Sequence, residues 1–194
     1  MNTASAILVY LVQTLFSLYL LAVLLRFILQ TVRADFYNPI SQFLVKVTAP
    51  LVNPLRRLIP GLGGLDLASL ALALLVQMLG SAILVVLWGG TPNPVSLLMW
   101  SVVAILYTLL NIYFFALIAM IIVSWVAAGS RHPAIMLLYQ ITEPVMAPLR
   151  KVLPPMGGLD LSPILAFILI QVLRIFLSGV AASLYMPRGL VPGL

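Results

Sequence analysis

The chain has 194 residues, of which 63% are hydrophobic and 7% are charged, and its formal net charge is +6. A mean hydropathy of +1.21 leaves too little polar side-chain surface to cover a soluble domain of this length. The absence of cysteine excludes disulfides and thiol chemistry.

Four apolar stretches follow one another along the chain, and each is longer than the roughly 20 helical residues that cross a bilayer core. They cover residues 6–30, 65–88, 97–126 and 161–186. A helix satisfies its own backbone hydrogen bonds, as the lipid interior requires. The sequence therefore predicts an all-α membrane protein with four transmembrane helices.

An internal repeat relates the two halves of the chain. A shift of 94 residues places Thr48, Pro50, Pro54 and Arg56 on Thr142, Pro144, Pro148 and Arg150. The same shift places Gly63, Gly64, Asp66 and Gln77 on Gly157, Gly158, Asp160 and Gln171. Such a repeat indicates one supersecondary unit used twice. We predict two copies, residues 1–94 and 95–194, each forming a helical hairpin with its connection, within a single membrane domain.

Positive charge marks the two long connections, residues 31–64 and 127–158. They hold seven Lys and Arg residues, whereas the opposite side holds only Arg188. Connections rich in Lys and Arg stay on the cytoplasmic side. We therefore expect a bacterial inner-membrane protein with both termini in the periplasm. The two copies would then be parallel, about a pseudo-twofold axis along the membrane normal.

Each connection carries an apolar stripe with helical spacing. In the first connection, the stripe consists of Ile40, Leu44, Val47, Leu51, Leu55 and Leu58. Polar residues, Ser41 among them, lie mostly on other faces. This pattern predicts an amphipathic helix in each connection, lying in the membrane interface.

Prolines and basic pairs refine the prediction for these amphipathic helices. We expect a break near Pro50 and Pro144, with Thr48 and Thr142 capping the segments that follow. Basic pairs occur at residues 56–57 and 150–151. They predict attraction to anionic lipid head groups, and the alternative is a docking surface for another membrane protein.

The two-glycine segments predict a turn followed by a helix start. Glycine permits positive φ at residues 63–64 and 157–158. Asp66 and Asp160 follow where a helix begins, and a carboxylate there caps orphan N–H groups. Two alternatives stay open. The carboxylates either pair with Arg56 and Arg150, or line a vestibule that attracts cations.

The doubled pattern of Pro-x-x-x-Pro-Leu-Arg, then Pro, then Gly-Gly-Leu-Asp-Leu, resembles the YggT family of small bacterial membrane proteins. It spans residues 50–67 and 144–161, with Pro155 for Gly61 and Pro163 for Ser69. The resemblance implies a role in osmotic stress and potassium uptake, or in division and envelope organisation. The plastid relatives imply haem attachment to cytochrome b6 or thylakoid organisation. The resemblance assigns no catalytic residue.

Polar residues also lie inside the predicted spans. Arg174 is about 20 Å into its helix at 1.5 Å per residue, on the same face as Gln171. We expect either a hydrogen-bond hub with Gln171, Gln13 or Asn111, or a polar functional site or partner contact. Gln77 and Gln171 occupy the same place in both copies, which predicts hydrogen bonds between helices.

The sequence gives little support to enzyme chemistry. Its one histidine, His132, and four carboxylates form neither a metal cluster nor a pair of nucleophile and base. We expect His132 to be a solvated residue rather than a metal or haem ligand. The basic residues follow the membrane boundary, so nucleic acid is not an expected partner. We predict no catalytic residue, metal or cofactor.

Two classes of function remain for a non-catalytic membrane protein. The repeated amphipathic surfaces favour a scaffold or assembly factor for membrane protein complexes, linked by the family resemblance to envelope organisation or osmotic stress. Arg174, Gln77 and Gln171 favour instead a channel or transport component for ions such as potassium. Four helices leave so little room for a pore that conduction would require a homo-oligomer.

Overall fold

The computed structural model of the protein describes residues 2–127, 129–153, 160–191 and 193. Six helices follow one another in these ranges: α1 (Thr3–Thr31), α2 (Pro39–Leu58), α3 (Leu67–Leu87), α4 (Pro94–Val126), α5 (Pro133–Val152) and α6 (Ser162–Ser183). No β-strand occurs in the described ranges. The predicted all-α fold is confirmed.

Four of the helices, α1, α3, α4 and α6, are long and apolar enough to cross a membrane. They lie within a few residues of the four predicted stretches. Their outer surfaces expose large apolar side chains, among them Leu15, Leu75, Phe115 and Ile175. Helices that are apolar inside and outside require an apolar solvent. The chain is therefore a multi-pass membrane protein.

The internal repeat reappears in the packing. Val23, Val52 and Leu72 are buried in the core of the first copy. Their counterparts after a shift of 94 residues, Leu117, Met146 and Ala166, are buried in the core of the second copy. Because the same positions are buried in both copies, one packing scheme serves the chain twice.

The two long connections lie at the same end of the helix bundle, as parallel copies require. The Asn38 side-chain amide donates to the carbonyl of Pro133 at 2.8 Å. The N–H of Asp35 donates to the side chain of Gln140 at 3.1 Å. These bonds join the start of α2 to α5. We name this end, where α2 and α5 lie, the motif end, and the opposite end, at residues 88–93, the linker end.

Both connection helices are continuous, so the predicted breaks near Pro50 and Pro144 are wrong. Each proline lacks the N–H that would bond the carbonyl four residues earlier. Pro50 and Pro54 are one turn apart on the exposed side of α2, and Pro144 and Pro148 are likewise exposed on α5. The carbonyls that they leave without an N–H donor therefore lie on the side of the helix away from the core.

The buried side of α2 corrects two further predictions. It consists of Ser41, Leu44, Thr48 and Val52. Thr48 caps no helix segment, because its hydroxyl lies inside α2 and donates to the Leu44 carbonyl at 2.6 Å. In α5, the Thr142 hydroxyl donates to the Leu138 carbonyl at 2.9 Å in the same way. Ser41 belongs to the buried side, although the stripe places it on a polar face.

The spanning helices α1 and α3 approach each other closely at Gly80. A Cβ atom at this position would lie 2.9 Å from the ring of Phe16 in α1. Real Cβ atoms do not tolerate so short a contact, so the ring would have to move. The absence of a side chain at Gly80 therefore sets the distance between the two helices.

We predict that Gly80→Ala lowers the free energy of unfolding by about 1–3 kcal/mol, the usual cost of overpacking a core. Gly179→Ala in α6 is the matched control, because a Cβ there meets nothing within 4 Å. Alanine at that position should cost nothing, or stabilise α6 by up to about 1 kcal/mol through its helix propensity. Thermal unfolding in a mild detergent measures both. Equal destabilisation would contradict the close approach at Gly80.

Candidate functional site

Three helices meet at the motif end around a buried group of polar side chains. Arg26 of α1, Thr48 of α2 and Asp66, the residue before α3, are 5%, 0% and 2% exposed. Ser69, in the first turn of α3, is fully buried. Arg56, near the end of α2, reaches the same place. We name these five residues the polar cluster.

Asp66 lies at the centre of the polar cluster. Its carboxylate accepts hydrogen bonds from Nη2 of Arg56 at 2.5 Å and from Nε at 3.3 Å. It also accepts from the hydroxyl of Ser69 at 2.5 Å and from the N–H of Ser69 at 3.3 Å. Asp66 is thus the cap of α3 and the ion-pair partner of Arg56 at the same time.

The polar cluster keeps Asp66 ionised. Burial by itself raises the pKa of this carboxyl, because it disfavours the charged form. The hydrogen bonds from Arg56 and Ser69, together with the charge of Arg56, outweigh burial, so that the pKa lies below its ordinary value. The stability that this carboxylate provides is therefore present above the ordinary pKa of an aspartate, and it is lost as the pH falls through the lowered value.

Arg26 binds the cluster from α1. Its Nη1 donates to the Thr48 hydroxyl at 2.7 Å, and its Nε lies 4.0 Å from a carboxylate oxygen of Asp66. Gln30, one turn later in α1, accepts from Arg56 at 2.5 Å. Arg26 is absent from the predicted site residues, although a charge inside an apolar span is a recognised signal. Its contacts fix α2 against both α1 and α3.

A tight turn sets the position of Asp66. Leu62 and Leu65 exchange backbone hydrogen bonds at 2.9 and 3.3 Å. Gly63 and Gly64 between them have φ values of 60° and 89°. Two successive positive φ values are typical of a type I′ turn, which glycine forms without a steric penalty. The predicted turn is present in the first copy, whereas Gly157 and Gly158 lie outside the described residues.

The second copy keeps the arginine–carboxylate pair but changes its surroundings. Arg150 donates from Nε to Asp160 at 3.0 Å and from Nη1 to Glu143 at 2.8 Å. These carboxylates are 37% and 53% exposed. Met120 occupies the position that corresponds to Arg26, and its sulfur lies 3.4 Å from the Thr142 hydroxyl. The second site is thus more exposed and has two acids for one base.

Asp160 differs slightly from its predicted role as a cap. The residue that caps α6 is Leu161, but the carboxylate of Asp160 accepts the N–H of Ser162 at 2.9 Å. Burial raises the pKa of Asp160, but hydrogen bonds from Ser162 and Arg150, together with the charge of Arg150, outweigh burial, so that the pKa lies below its ordinary value. Asp66 is 2% exposed and paired. The alternative of a cation vestibule between two free carboxylates therefore does not fit this geometry.

Arg174 lies in the middle of α6 and contacts α4. Its guanidinium donates to the Asn111 side chain, as expected. The guanidinium carbon lies 4.3 Å from the ring centre of Phe114 and 5.8 Å from that of Tyr107. Such cation–π contacts attract the guanidinium to the rings, and the attraction is strongest where the cation is shielded from water. The Nε atom is buried and has no hydrogen-bond partner among the described residues.

The other expected partners of Arg174 lie elsewhere. Gln13 donates to the Gly189 carbonyl at 2.7 Å, and Gln171 is exposed on the outer surface of α6. Gln77 donates to Ser81 of its own helix at 3.1 Å. A hydroxyl four residues along the helix satisfies Gln77 locally. The predicted bonds between helices are therefore wrong for Gln77 and do not occur for Gln171 within the described residues.

No group of three or more His, Asp or Glu side chains could hold a metal ion in the described ranges. His132 is exposed, and its Nδ1 accepts the N–H of Ala134 at 3.3 Å at the start of α5. Asn38, its counterpart in the first copy, accepts the N–H of Ile40 at 3.0 Å at the start of α2. Both residues are helix caps, which explains why a histidine and an asparagine occupy the same position.

Comparison with known proteins agrees with this architecture. The family model CCB3/YggT matches residues 5–87 and 99–181. An uncharacterized protein of Pseudomonas aeruginosa is 52% identical over 193 residues, covering 98% of this chain and 96% of the relative. The uncharacterized protein YggT of Escherichia coli is 38% identical over 197 residues, covering 100% of this chain and 98% of the relative. A protein of Vibrio alginolyticus is 37% identical over 178 residues, covering 91% and 96%. No solved structure matches the chain.

We predict that Asp66→Asn lowers the free energy of unfolding by about 3 kcal/mol, because it breaks a buried ion pair. This value is the low end of the usual range, since water reaches Arg56, which is 40% exposed. Asp160→Asn is the matched control. It should cost about 1 kcal/mol or less, since this pair is exposed and Glu143 remains beside Arg150. Unfolding by denaturant in mild detergent compares the two variants. A larger loss for Asp160→Asn would contradict the central role of Asp66.

Proposed function

Because this chain belongs to the CCB3/YggT family, we propose that it is a non-catalytic scaffold or assembly factor for membrane protein complexes. The family resemblance connects this role with envelope organisation or osmotic stress. Its proposed partners are anionic lipid head groups and other membrane proteins, including further copies of itself.

The outer side of α2 is the observation that carries this proposal. Phe43, Val47 and Leu51 follow one another at single turns of α2 and are 63%, 38% and 51% exposed. Phe36 and Tyr37, just before α2, are 61% and 83% exposed. Apolar patches of this kind mark contacts with membranes or other proteins. The polar cluster holds α2 in place, so that this side is a rigid surface.

The proposed location is the bacterial inner membrane, with the motif end in the cytoplasm. The described part of the chain has its Lys and Arg residues concentrated at this end, and such charges are retained on the cytoplasmic side. Arg56 and Arg150 form ion pairs with Asp66 and Asp160 of the same chain. The exposed Arg57 and Lys151 add a general attraction to the anionic membrane surface.

Cysteine labelling of intact cells tests this orientation. The natural chain contains no cysteine, so each introduced thiol reports one position. We expect Thr3→Cys and Thr91→Cys, both exposed, to react with a reagent that does not cross membranes. Gln42→Cys, exposed on α2, should react only after the cells are permeabilised. Reaction of Gln42→Cys in intact cells would reverse the proposed topology.

Photo-crosslinking in native membranes tests the scaffold function. A photoreactive amino acid at Phe43 should give crosslinks to one or a few defined membrane proteins. Leu51→Asp in the same chain should abolish them, because a charge two turns from Phe43 interrupts the apolar surface. A photoreactive residue at Ile175, 64% exposed on α6, is the matched control and should give lipid adducts. Equal protein crosslinks from both positions would refute a docking role for α2.

A cavity favours the second candidate function, a channel or transport component. It has a volume of about 140 Å³, and its polar lining consists of Ser17, Gln77, Thr108 and Asn111. Leu190 and Val191, from the chain after α6, also line it and are almost fully buried. A path for ions would require these two residues to move, or several copies to assemble.

Purified protein in liposomes distinguishes the two functions. The scaffold proposal expects no more potassium flux than protein-free liposomes, before or after Arg174→Leu. A saturable flux whose size or selectivity changes in Arg174→Leu would replace the scaffold with the channel.

A further inference from the structure

A second cavity, with a volume of about 350 Å³, lies at the motif end beside the polar cluster. Arg26 and Gln30 of α1, Arg33 just after α1, and Ser41 and Arg56 of α2 form its polar lining. The volume is at the small end of the range for ligand sites, about 300–1,000 Å³. The cavity is thus large enough for one charged group.

The lining of this cavity is positively charged. It includes three arginines, and the adjacent carboxylate is Asp66, which pairs with Arg26 and Arg56. Three guanidinium groups beside one carboxylate leave two positive charges uncompensated. Asp35 is near in the chain, but it does not line the cavity, and it accepts the N–H of Tyr37 at 2.9 Å. An anion is therefore the ligand that the charge favours.

Ser41 adds a buried hydrogen-bond donor that has no partner in the described part of the chain. The residue is 5% exposed, and its hydroxyl makes no hydrogen bond to any described residue. Buried hydroxyl groups are almost always satisfied, because leaving one unpaired is unfavourable. An acceptor oxygen in the cavity that Ser41 lines would satisfy it.

Arg33 occupies a position that normally favours glycine. Its φ is 53°, in the left-handed region. Arg33 belongs to a Schellman motif that ends α1. Its N–H donates to the Gln30 carbonyl at 3.1 Å, and the N–H of Ala34 donates to the Leu29 carbonyl at 2.8 Å. Helices that end in this way usually place glycine there. The backbone therefore gives no reason for an arginine, whereas the cavity gains a third guanidinium from it.

The second copy of the repeat shows that the helices do not require this lining. The positions of Arg26, Gln30, Arg33 and Ser41 are taken there by Met120, Ser124, Ala127 and Ile135. Arg56 is matched by Arg150, which two carboxylates neutralise. The contacts with Thr48 and Asp66 give Arg26 and Arg56 a structural role. Since the second copy forms the same three helices without an arginine or a serine at the positions of Arg33 and Ser41, the helices do not account for these two residues.

We propose that this cavity binds the phosphate group of an anionic phospholipid, with Arg26, Arg33, Arg56 and Ser41 as donors. Guanidinium groups match the oxygens of phosphate in geometry and charge. The cavity lies where α1 leaves its apolar span, and Phe36 in its lining is 61% exposed. A lipid places its phosphate at this level and its acyl chains beside such a ring. The site is independent of the scaffold function.

Native mass spectrometry of the purified full chain in mild detergent tests the proposal. It measures how much phosphatidylglycerol and how much phosphatidylcholine the protein retains. Wild-type protein should retain phosphatidylglycerol in preference to phosphatidylcholine. Arg33→Gly and Ser41→Ala should each weaken that binding about tenfold, the effect of one hydrogen bond to a charged group. Arg57→Ala removes an exposed charge outside the cavity and should change it by about twofold or less.

Both cavity variants should keep the fold. Glycine suits the φ of 53° at position 33, and the Ser41 hydroxyl bonds no described residue. Their melting temperatures should therefore equal or exceed that of the wild type. Equal weakening by Arg33→Gly and Arg57→Ala would show diffuse attraction and overturn the site. Saturable binding of inorganic phosphate that phosphatidylglycerol does not displace would overturn the lipid assignment.

Discussion

Burial of the Asp66 carboxylate between two arginines is the constraint on which the motif end depends. An ionised carboxylate that is 2% exposed is stable only with its opposite charges beside it. Arg26 must therefore come from α1 and Arg56 from α2, which fixes both the position and the rotation of α2. The same rotation brings Ser41 to the cavity that Arg33 lines from the end of α1, and turns the side of Phe43 outward. One electrostatic requirement thus creates both proposed binding surfaces.

The two copies share a packing scheme and differ in their polar chemistry. Val52 and Met146 are fully buried at matching positions, so α2 and α5 dock in the same way. The first copy keeps a buried charge, Arg26, where the second has the thioether of Met120. An arginine there demands a carboxylate nearby, whereas a methionine needs only apolar contacts. This difference allows Asp160 to remain partly exposed, at 37%.

Much of this architecture follows from the sequence, because periodicity and repetition report on local structure. The four spans, the glycine turn at residues 63–64 and the pairing of Arg56 with Asp66 could be predicted in this way. Continuity through Pro50 could not, because packing of the opposite side of α2 overrides the local preference of proline. Arg26 and Ser41 also could not be placed, since their surroundings depend on the rotation of α2 against α1. The sequence predicted a hydrogen bond from Gln77 to another helix, but its side-chain amide donates to Ser81 within α3.

The charges inside the membrane-spanning bundle restrict the kind of ion that the protein could conduct. Arg174 has neutral neighbours, namely the Asn111 side chain and two aromatic rings. Asn111 also lines the cavity of about 140 Å³, and the lining contains no carboxylate. A fixed positive charge beside a neutral lining repels cations, and selective cation pores rely on carboxylates or rings of carbonyls. The aromatic rings and the amide stabilise Arg174 as a structural contact between α4 and α6, and this arrangement opposes conduction of potassium through a single copy.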